Sequence, residues 1–332
     1  MGTKAVEHIE LGSGRGLRAR VSNWGVYLTE LCPDGKRDVV LSHADDGGRR
    51  GDGLHLGCLI GRHANRIRDG SFELDGWQHQ LPCNAGDNHL HGGHAGFHQQ
   101  YWEVVTREPE RTHLRLHSPN GQEGYPGTVD VDAIITLPDQ SSLRLEMIAV
   151  TDAPTPLNLT WHPYFNLAGH ASGSAADHRI QIDADQFLPM TTEFCPSGDI
   201  LAVDGTPFDL RQPQTIGPLL AKRHPQLVVG EGFDHCFLIR GEGLRRAARL
   251  EAPDASLAME IWSTQIGLQF YSGNTLMLSR GAKEGARYRR LSGICLEPQG
   301  LPDAPNHAHF PSTILRPGER YHQIIEYRFE MG

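Results

Sequence analysis

Three short segments of the chain carry residue types suited to moving protons. Asn88 to His98 reads NHLHGGHAGFH and sets His89, His91, His94 and His98 close together. Asn158 to Leu167 reads NLTWHPYFNL and places His162 among apolar and aromatic neighbours. Gly293 to Ala304 reads GICLEPQGLPDA, with Glu297 directly after the apolar run Ile294-Cys295-Leu296. An imidazole changes charge near physiological pH. An ionised carboxylate beside a buried strand is costly unless it is paired or used. Combined, such groups suit general acid–base catalysis. Each also has a plainer reading: His162 as a core imidazole bonded to a backbone carbonyl, and Glu297 as a salt bridge at a strand end.

Four histidines in eleven residues also raise the question of zinc, since neutral imidazole is a good ligand. Gly92-Gly93 interrupts any helical i, i+4 spacing, and no H-E-x-x-H pattern is present. The expectation is therefore hydrogen-bonded or solvated histidines on a glycine-rich loop, with no metal.

Composition narrows the function classes. Among 332 residues, 31 Lys+Arg face 40 Asp+Glu, a net charge of −9 with no long run of one sign. That disfavours nucleic acid or an anionic membrane as partner. No window approaches the roughly 18 apolar residues of a spanning helix, and the opening MGTKAVEHIELG lacks the apolar stretch of a secretion signal. Gly2 invites an acylation reading, but Val6 stands where that motif has Ser or Thr. Six cysteines lie far apart without a C-x-x-C pair, so reduced thiols and a cytoplasmic location are expected.

The histidine cluster, His162 and Glu297 are distant in sequence, so tertiary structure must bring them together if they act jointly. The elements available are strands. VDVDAIITL (Val129 to Leu137), LRLEMIAV (Leu143 to Val150) and YHQIIEYRF (Tyr321 to Phe329) alternate apolar and polar residues at period two, which gives a strand one core face and one wet face. Asp75-Gly76 sits between two alternating arms and suits a type I′ hairpin; Pro33-Asp34-Gly35, Asn120-Gly121 and Pro126-Gly127 mark other turns. No repeat or linker divides the chain, and AGHASGSAA (Ala168 to Ala176) reads as a surface loop. The expected architecture is an all-β, predominantly antiparallel sandwich forming a single domain over residues 1–332.

Six motifs, in order, resemble those of the aldose 1-epimerase (galactose mutarotase) family: GRHANRI (Gly61 to Ile67), NHLHGG, NLTWHPYFNL, FDH (Phe233 to His235), GLQFYSGN (Gly267 to Asn274) and LEPQGLPDAPNH (Leu296 to His307). The resemblance implies a β-supersandwich fold and interconversion of the α and β anomers of a free aldose, without cofactor, by a monomer or homodimer. It further implies Glu297 as base, His162 as acid and His91 as a ring-oxygen contact, with Asn65, Arg66, Asp234 and Gln269 binding the sugar. Reference pKa values of about 4.3 and 6.5 suggest an ionised Glu297 and, after a modest upward shift, a protonated His162. Trp161, Pro163 and Pro298 depart from the usual family residues Asn, Ser and Thr. Trp161, Phe165 and Phe270 offer faces on which a sugar can stack, although such rings are commonly core.

Two other readings stand beside this one. A sugar-phosphate (hexose-6-phosphate) 1-epimerase needs a cationic pocket, for which Arg62, Arg66 and Arg68 are candidates. A non-catalytic sugar-binding module of the same fold has no use for both His162 and Glu297. Glycoside hydrolysis generally employs two carboxylates, whereas the matched pair is His and Glu.

Overall fold

The period-two alternation resolves into two large antiparallel sheets. In the computed structural model, which describes residues 5–332 apart from 13 and 15, nine strands form the larger sheet. Its order is Gln214–Thr215, Arg179–Ile182, Arg245–Glu251, Leu257–Ser263, Tyr321–Met331, Ser142–Thr151, Val129–Asp139, Arg111–Ser118 and Glu103–Glu108. The smaller sheet runs Tyr164–Phe165, Ile294–Gln299, Gly267–Tyr271, Asp234–Ile239, Ala184–Phe187 and Leu201–Ala202. All three strands expected from alternation are present, each extended by a residue or two. Asp75 and Gly76 turn the Ser71–Leu74/Trp77–Gln80 hairpin with φ of 52° and 83°, as a type I′ turn requires.

The sheets pack face to face. Val131, Ala133, Ile135, Leu145, Met147 and Ile325 of the larger sheet share one apolar core with Phe165, Phe237, Leu268, Phe270 and Leu296 of the smaller one. At roughly 25 cal/mol per Å² of apolar surface removed from water, this layer is the main source of stability. Trp161, Phe165 and Phe270 all belong to it, and the Trp161 indole donates to the Val26 carbonyl at 2.9 Å. They are core rings and not a stacking platform.

Helix is minor: Asp46–Arg50, Ile216–Leu220 and Pro225–Val229 are five residues each. Among the described residues no helix is long and apolar enough to cross a membrane. All six cysteines are unpaired, five buried and Cys83 exposed. Gly2 lies outside the described residues.

Several histidines are sealed into this framework as neutral rings. His178 Nε2 accepts from Leu167 N–H at 2.9 Å, and His235 Nδ1 accepts from Asp234 N–H at 3.1 Å. His89 is held between the Pro82 carbonyl and the Tyr125 hydroxyl, and His63 faces Thr313 Oγ1. Burial pushes His63 and His235 down to about 3 and His89 and His178 to about 4. In the unfolded chain these rings protonate near pH 6.5. Below that pH the unfolded state gains protons that the native state refuses, so stability falls. Each such ring contributes a slope of about 1.4 kcal/mol per pH unit between its two pKa values. Glu297, Asp234 and Asp303, whose pKa values are raised by burial, oppose this trend but are outnumbered by the lowered histidines. The urea midpoint of unfolding is expected to drop steadily from pH 7 to pH 4.5; a level midpoint over that range would contradict the neutral burial of these rings.

Candidate active site

Strand register builds the floor of a cavity on the smaller sheet. Directly opposed residues of antiparallel strands share a face. Gln269 opposes Glu297, Tyr271 opposes both Cys295 and Asp234, and Tyr164 opposes Cys295. Asp234, Gln269, Tyr271, Glu297 and Tyr164 therefore project from one side, while Leu268, Phe270, Ile294 and Leu296 alternate into the core. Gln269 Nε2 donates to Asp234 Oδ1 at 2.7 Å, tying the row together.

His162 enters from the segment between the short strands Thr160–Trp161 and Tyr164–Phe165. Its own N–H donates to the Cys58 carbonyl, and its carbonyl accepts from Gly57 N–H, both at 3.0 Å. The ring sits with Nε2 3.5 Å from Glu297 Oε1 and Nδ1 3.7 Å from Cys295 Sγ. The structure thus places carboxyl and imidazole side by side, both almost completely buried.

The histidine-rich loop supplies the opposite wall. Glu123 holds it from outside, its carboxylate accepting from His94 N–H and Ala95 N–H at 3.0 Å each. Gly92, at φ 82°, lies so near Gly61 that a Cβ would stand 1.9 Å from the Gly61 carbonyl oxygen, so only glycine fits. Beside it His91 and Asn65 brace each other. His91 N–H donates to the Asn65 carbonyl at 3.1 Å, and Asn65 N–H donates to His91 Nδ1 at 3.2 Å. Because Nδ1 accepts, a neutral His91 carries its proton on Nε2. Arg66 is steadied by its guanidinium lying 5.2 Å from the Phe194 ring centroid.

These walls enclose about 290 Å³, at the small end of ligand cavities. Asn65, Arg66, His91, His162, Asp234, Gln269 and Glu297, all seven residues singled out in the sequence, line it. His55, Tyr164, Phe194, Tyr271 and Asn274 line it as well and were not foreseen. Strand alternation would have found Tyr271, two positions beyond Gln269. His55 and Phe194 adopt left-handed backbone on loops, with φ of 58° and 62°, and no pattern in the sequence marks them.

The ionisation differs from the expectation of an ionised Glu297 and an upward-shifted His162. Burial, reinforced by Asp234, pushes the Glu297 carboxyl well above the usual range. Burial, reinforced by His55, pushes His162 down to about 3. Burial strips both groups of most of the water that would stabilise their charged forms. The pair holds a single proton, which burial places on Glu297. Glu297 Oε2 and Gln269 Oε1 are buried acceptors without a hydrogen-bond partner among the described residues, which normally costs about 1–3 kcal/mol each.

The histidines of the glycine-rich loop go separate ways: His89 into a structural bond, His91 into the cavity, His94 to solvent and His98 beneath His55. Among the described residues, His162, Cys295 and Glu297 have potential ligand atoms within 4.8 Å of one another. The thiol and the carboxyl face different ring nitrogens, however, and burial raises the thiol pKa well above normal, which opposes a metal-binding thiolate. The three arginines also separate. Arg62 is buried, donating to Ser118 Oγ and to the carbonyls of Ser118, Pro119, Pro126 and Gly127 at 2.7–2.9 Å. Arg68 donates to the Pro196 carbonyl, and only Arg66 lines the cavity.

A small cavity on a β-supersandwich, carrying several polar side chains and a one-proton carboxyl–imidazole pair at its floor, defines a protein equipped for acid–base chemistry on a small polar molecule. Comparison with known proteins narrows the class. The family described as Aldose 1-epimerase matches residues 7–328. Galactose mutarotase of Bos taurus is 39% identical, covering 100% of this chain and 96% of that protein. Aldose 1-epimerase of Escherichia coli (strain K12) is 34% identical, covering 97% and 94%. A solved structure of a GalM/aldose epimerase homologue from C. elegans superposes with a TM-score of 0.91 at 30% identity, covering 98% and 99% of the two chains. The chain belongs to the aldose 1-epimerase family.

The division of labour between the arginines is open to test. Arg62→Ala strips donors from four carbonyls, two of them buried, and is expected to cost ~3 kcal/mol or more of unfolding free energy. Arg66→Ala, at the cavity wall, is expected to cost under ~1 kcal/mol. Urea unfolding of both variants decides; equal losses would contradict the assignment.

Proposed function

We infer that this chain is an aldose 1-epimerase, an isomerase that interconverts the α and β anomers of a free aldose by opening and reclosing the ring. The observation that carries the chemistry is the one-proton pair of Glu297 and His162, 3.5 Å apart at the cavity floor. In the opening step the anomeric O1–H bond breaks toward Glu297 and C1=O1 forms. In the same step the C1–O5 bond breaks, its electron pair going to O5, which takes the proton from His162. Rotation about C1–C2 and the reverse steps give the other anomer.

This cycle begins with the proton on His162 and reaches the open aldehyde with it on Glu297. The second arrangement is the one burial favours in the empty site. Sugar hydroxyls entering the cavity bring the donors that Glu297 Oε2 and Gln269 Oε1 lack, which favours an ionised Glu297 in the complex. We assign His91, through Nε2–H, to the ring oxygen, and Asn65, Arg66, Asp234 and Gln269 to the hydroxyls. Arg and Asp give the charge-assisted bonds among these.

A sugar phosphate is less well served, since Arg66 is the sole Lys or Arg among the residues lining the cavity. Relatives called galactose mutarotase make galactose the first substrate to test. We also read the chain as one folding unit, because a single apolar core contains residues from Ile9 to Phe329. A reducing compartment such as the cytoplasm suits its six unpaired cysteines.

Polarimetry of freshly dissolved α-anomers of galactose, glucose, xylose and L-arabinose tests the activity directly. Glu297→Gln is expected to fold and to lose ~10²–10⁴-fold in kcat, since the amide cannot accept the proton. The wild-type kcat/KM, which reports the free enzyme, should stay level from pH 5 through neutrality, because a second proton joins His162 only at about 3. It should fall at alkaline pH as Glu297 in the free pair gives up its proton. An acid limb near pH 5, or a Glu297→Gln enzyme with normal kcat, would refute the assignment.

Removal of metals addresses the remaining alternative. Dialysis against EDTA is expected to leave kcat unchanged. Stoichiometric zinc or manganese in the purified protein, with activity lost on its removal and restored on its return, would reverse that conclusion.

A further inference from the structure

His55 is the cavity's least explained side chain. It stands on a turn that the buried Asp52 holds in place, with Oδ1 accepting from Leu54 N–H at 2.8 Å and Oδ2 from Leu56 N–H at 2.7 Å. Asp52 is itself paired with His43 Nε2 at 2.9 Å. The residue between the two anchored peptides is thereby fixed at φ 58°, a conformation that a non-glycine side chain adopts at a cost of order 1 kcal/mol. A local strain held by a buried carboxylate delivers one imidazole to the cavity.

The ring meets His91 and His98 at centroid distances of 4.8 Å and His162 at 5.9 Å. His91 and His162 both engage protein partners through their ring nitrogens. Neither nitrogen of His55 has a hydrogen-bond partner among the described residues, and neither is sealed from the cavity. Burial lowers its pKa, so the ring is neutral and offers one donor and one acceptor, the complement of an alcohol.

Position indicates which alcohol. Glu297 adjoins His162 at 3.5 Å, His162 adjoins His91 at a ring separation of 5.2 Å, and His55 lies nearer His91 than His162. With Glu297 at O1 and His162 and His91 at O5, passing along the sugar ring beyond O5 leads to C5 and its substituent. We propose, on the reading of the cavity as an aldose site, that His55 is a specificity residue that hydrogen-bonds the C6 hydroxyl and favours aldohexoses over sugars lacking it.

D-galactose and 6-deoxy-D-galactose differ only in that hydroxyl. For the wild type, kcat/KM is expected to favour galactose by about three- to tenfold, the effect of one neutral hydrogen bond, with most of the difference in KM. In His55→Phe, which keeps a ring and removes both polar atoms, the preference should collapse to near unity. His55→Gln, which restores a donor and an acceptor, should recover part of it. Melting curves on the same preparations establish that each variant is folded. A preference that persists in His55→Phe, or a loss of kcat equal for both sugars with the ratio intact, overturns the assignment. A wild type that turns over both sugars with equal kcat/KM overturns it too. A wild type that turns over no aldose overturns the aldose reading itself, and this inference with it.

Discussion

A carboxyl and an imidazole, buried 3.5 Å apart where burial disfavours either charge, set the terms for the rest of the site. In water the two would exchange one proton with the solvent and ionise independently. Here each is pushed toward neutrality, and the proton they share moves only between them and whatever occupies the cavity. That condition needs walls which exclude water while presenting hydroxyl-binding groups. It also needs a floor rigid enough to stop the pair from relaxing into a better arrangement. Both are properties of the sandwich: three neighbouring strands bring Asp234, Gln269 and Glu297 to one face, while the alternate residues lock those strands to the opposite sheet.

The walls are made differently. His55, Asn65, His91, Phe194 and Glu231 all line the cavity, and all have φ between 55° and 62°. Left-handed backbone turns a chain sharply and aims its side chain where an extended strand cannot. Loops so bent need support, which comes from Asp52 behind His55, from the mutual bonds of Asn65 and His91, and from Glu123 behind the glycine pair. The division is one of placement: strands carry Asp234, Gln269 and Glu297, a short connection between strands carries His162, and left-handed loops carry His55, Asn65 and His91. Stability lost to strain at functional positions is recovered by the surrounding structure.

What the sequence disclosed follows this division. Strands announce themselves by alternation, so Val129–Asp139, Ser142–Thr151 and Tyr321–Met331 were legible to within a residue or two. Asp75-Gly76 was legible because its turn geometry restricts residue type. The seven residues that came together at the cavity were reached through motif resemblance, and spacing alone would not have joined them. His55 and Phe194 escaped because nothing in GDGLH or TEFCP records a positive φ. The protonation of the pair was also hidden. Reference pKa values describe groups in water, and the burial that moved His162 and Glu297 in opposite directions exists only after folding. The roles of Arg62 and Arg66, four positions apart in one motif, separate only when the carbonyls around Arg62 are seen.

The place of Tyr321–Met331 in the larger sheet bears on how the molecule is made. This strand lies between Ser142–Thr151 and Leu257–Ser263, both translated well before it. Until it is inserted, the two halves of the sheet each present an open edge of unpaired backbone and a half-covered apolar face. Such edges template pairing with other chains. Closure also joins segments far apart in sequence, which slows folding through the entropy of the intervening loops. During synthesis the nascent chain is therefore open to association with its neighbours until this strand is inserted into the sheet.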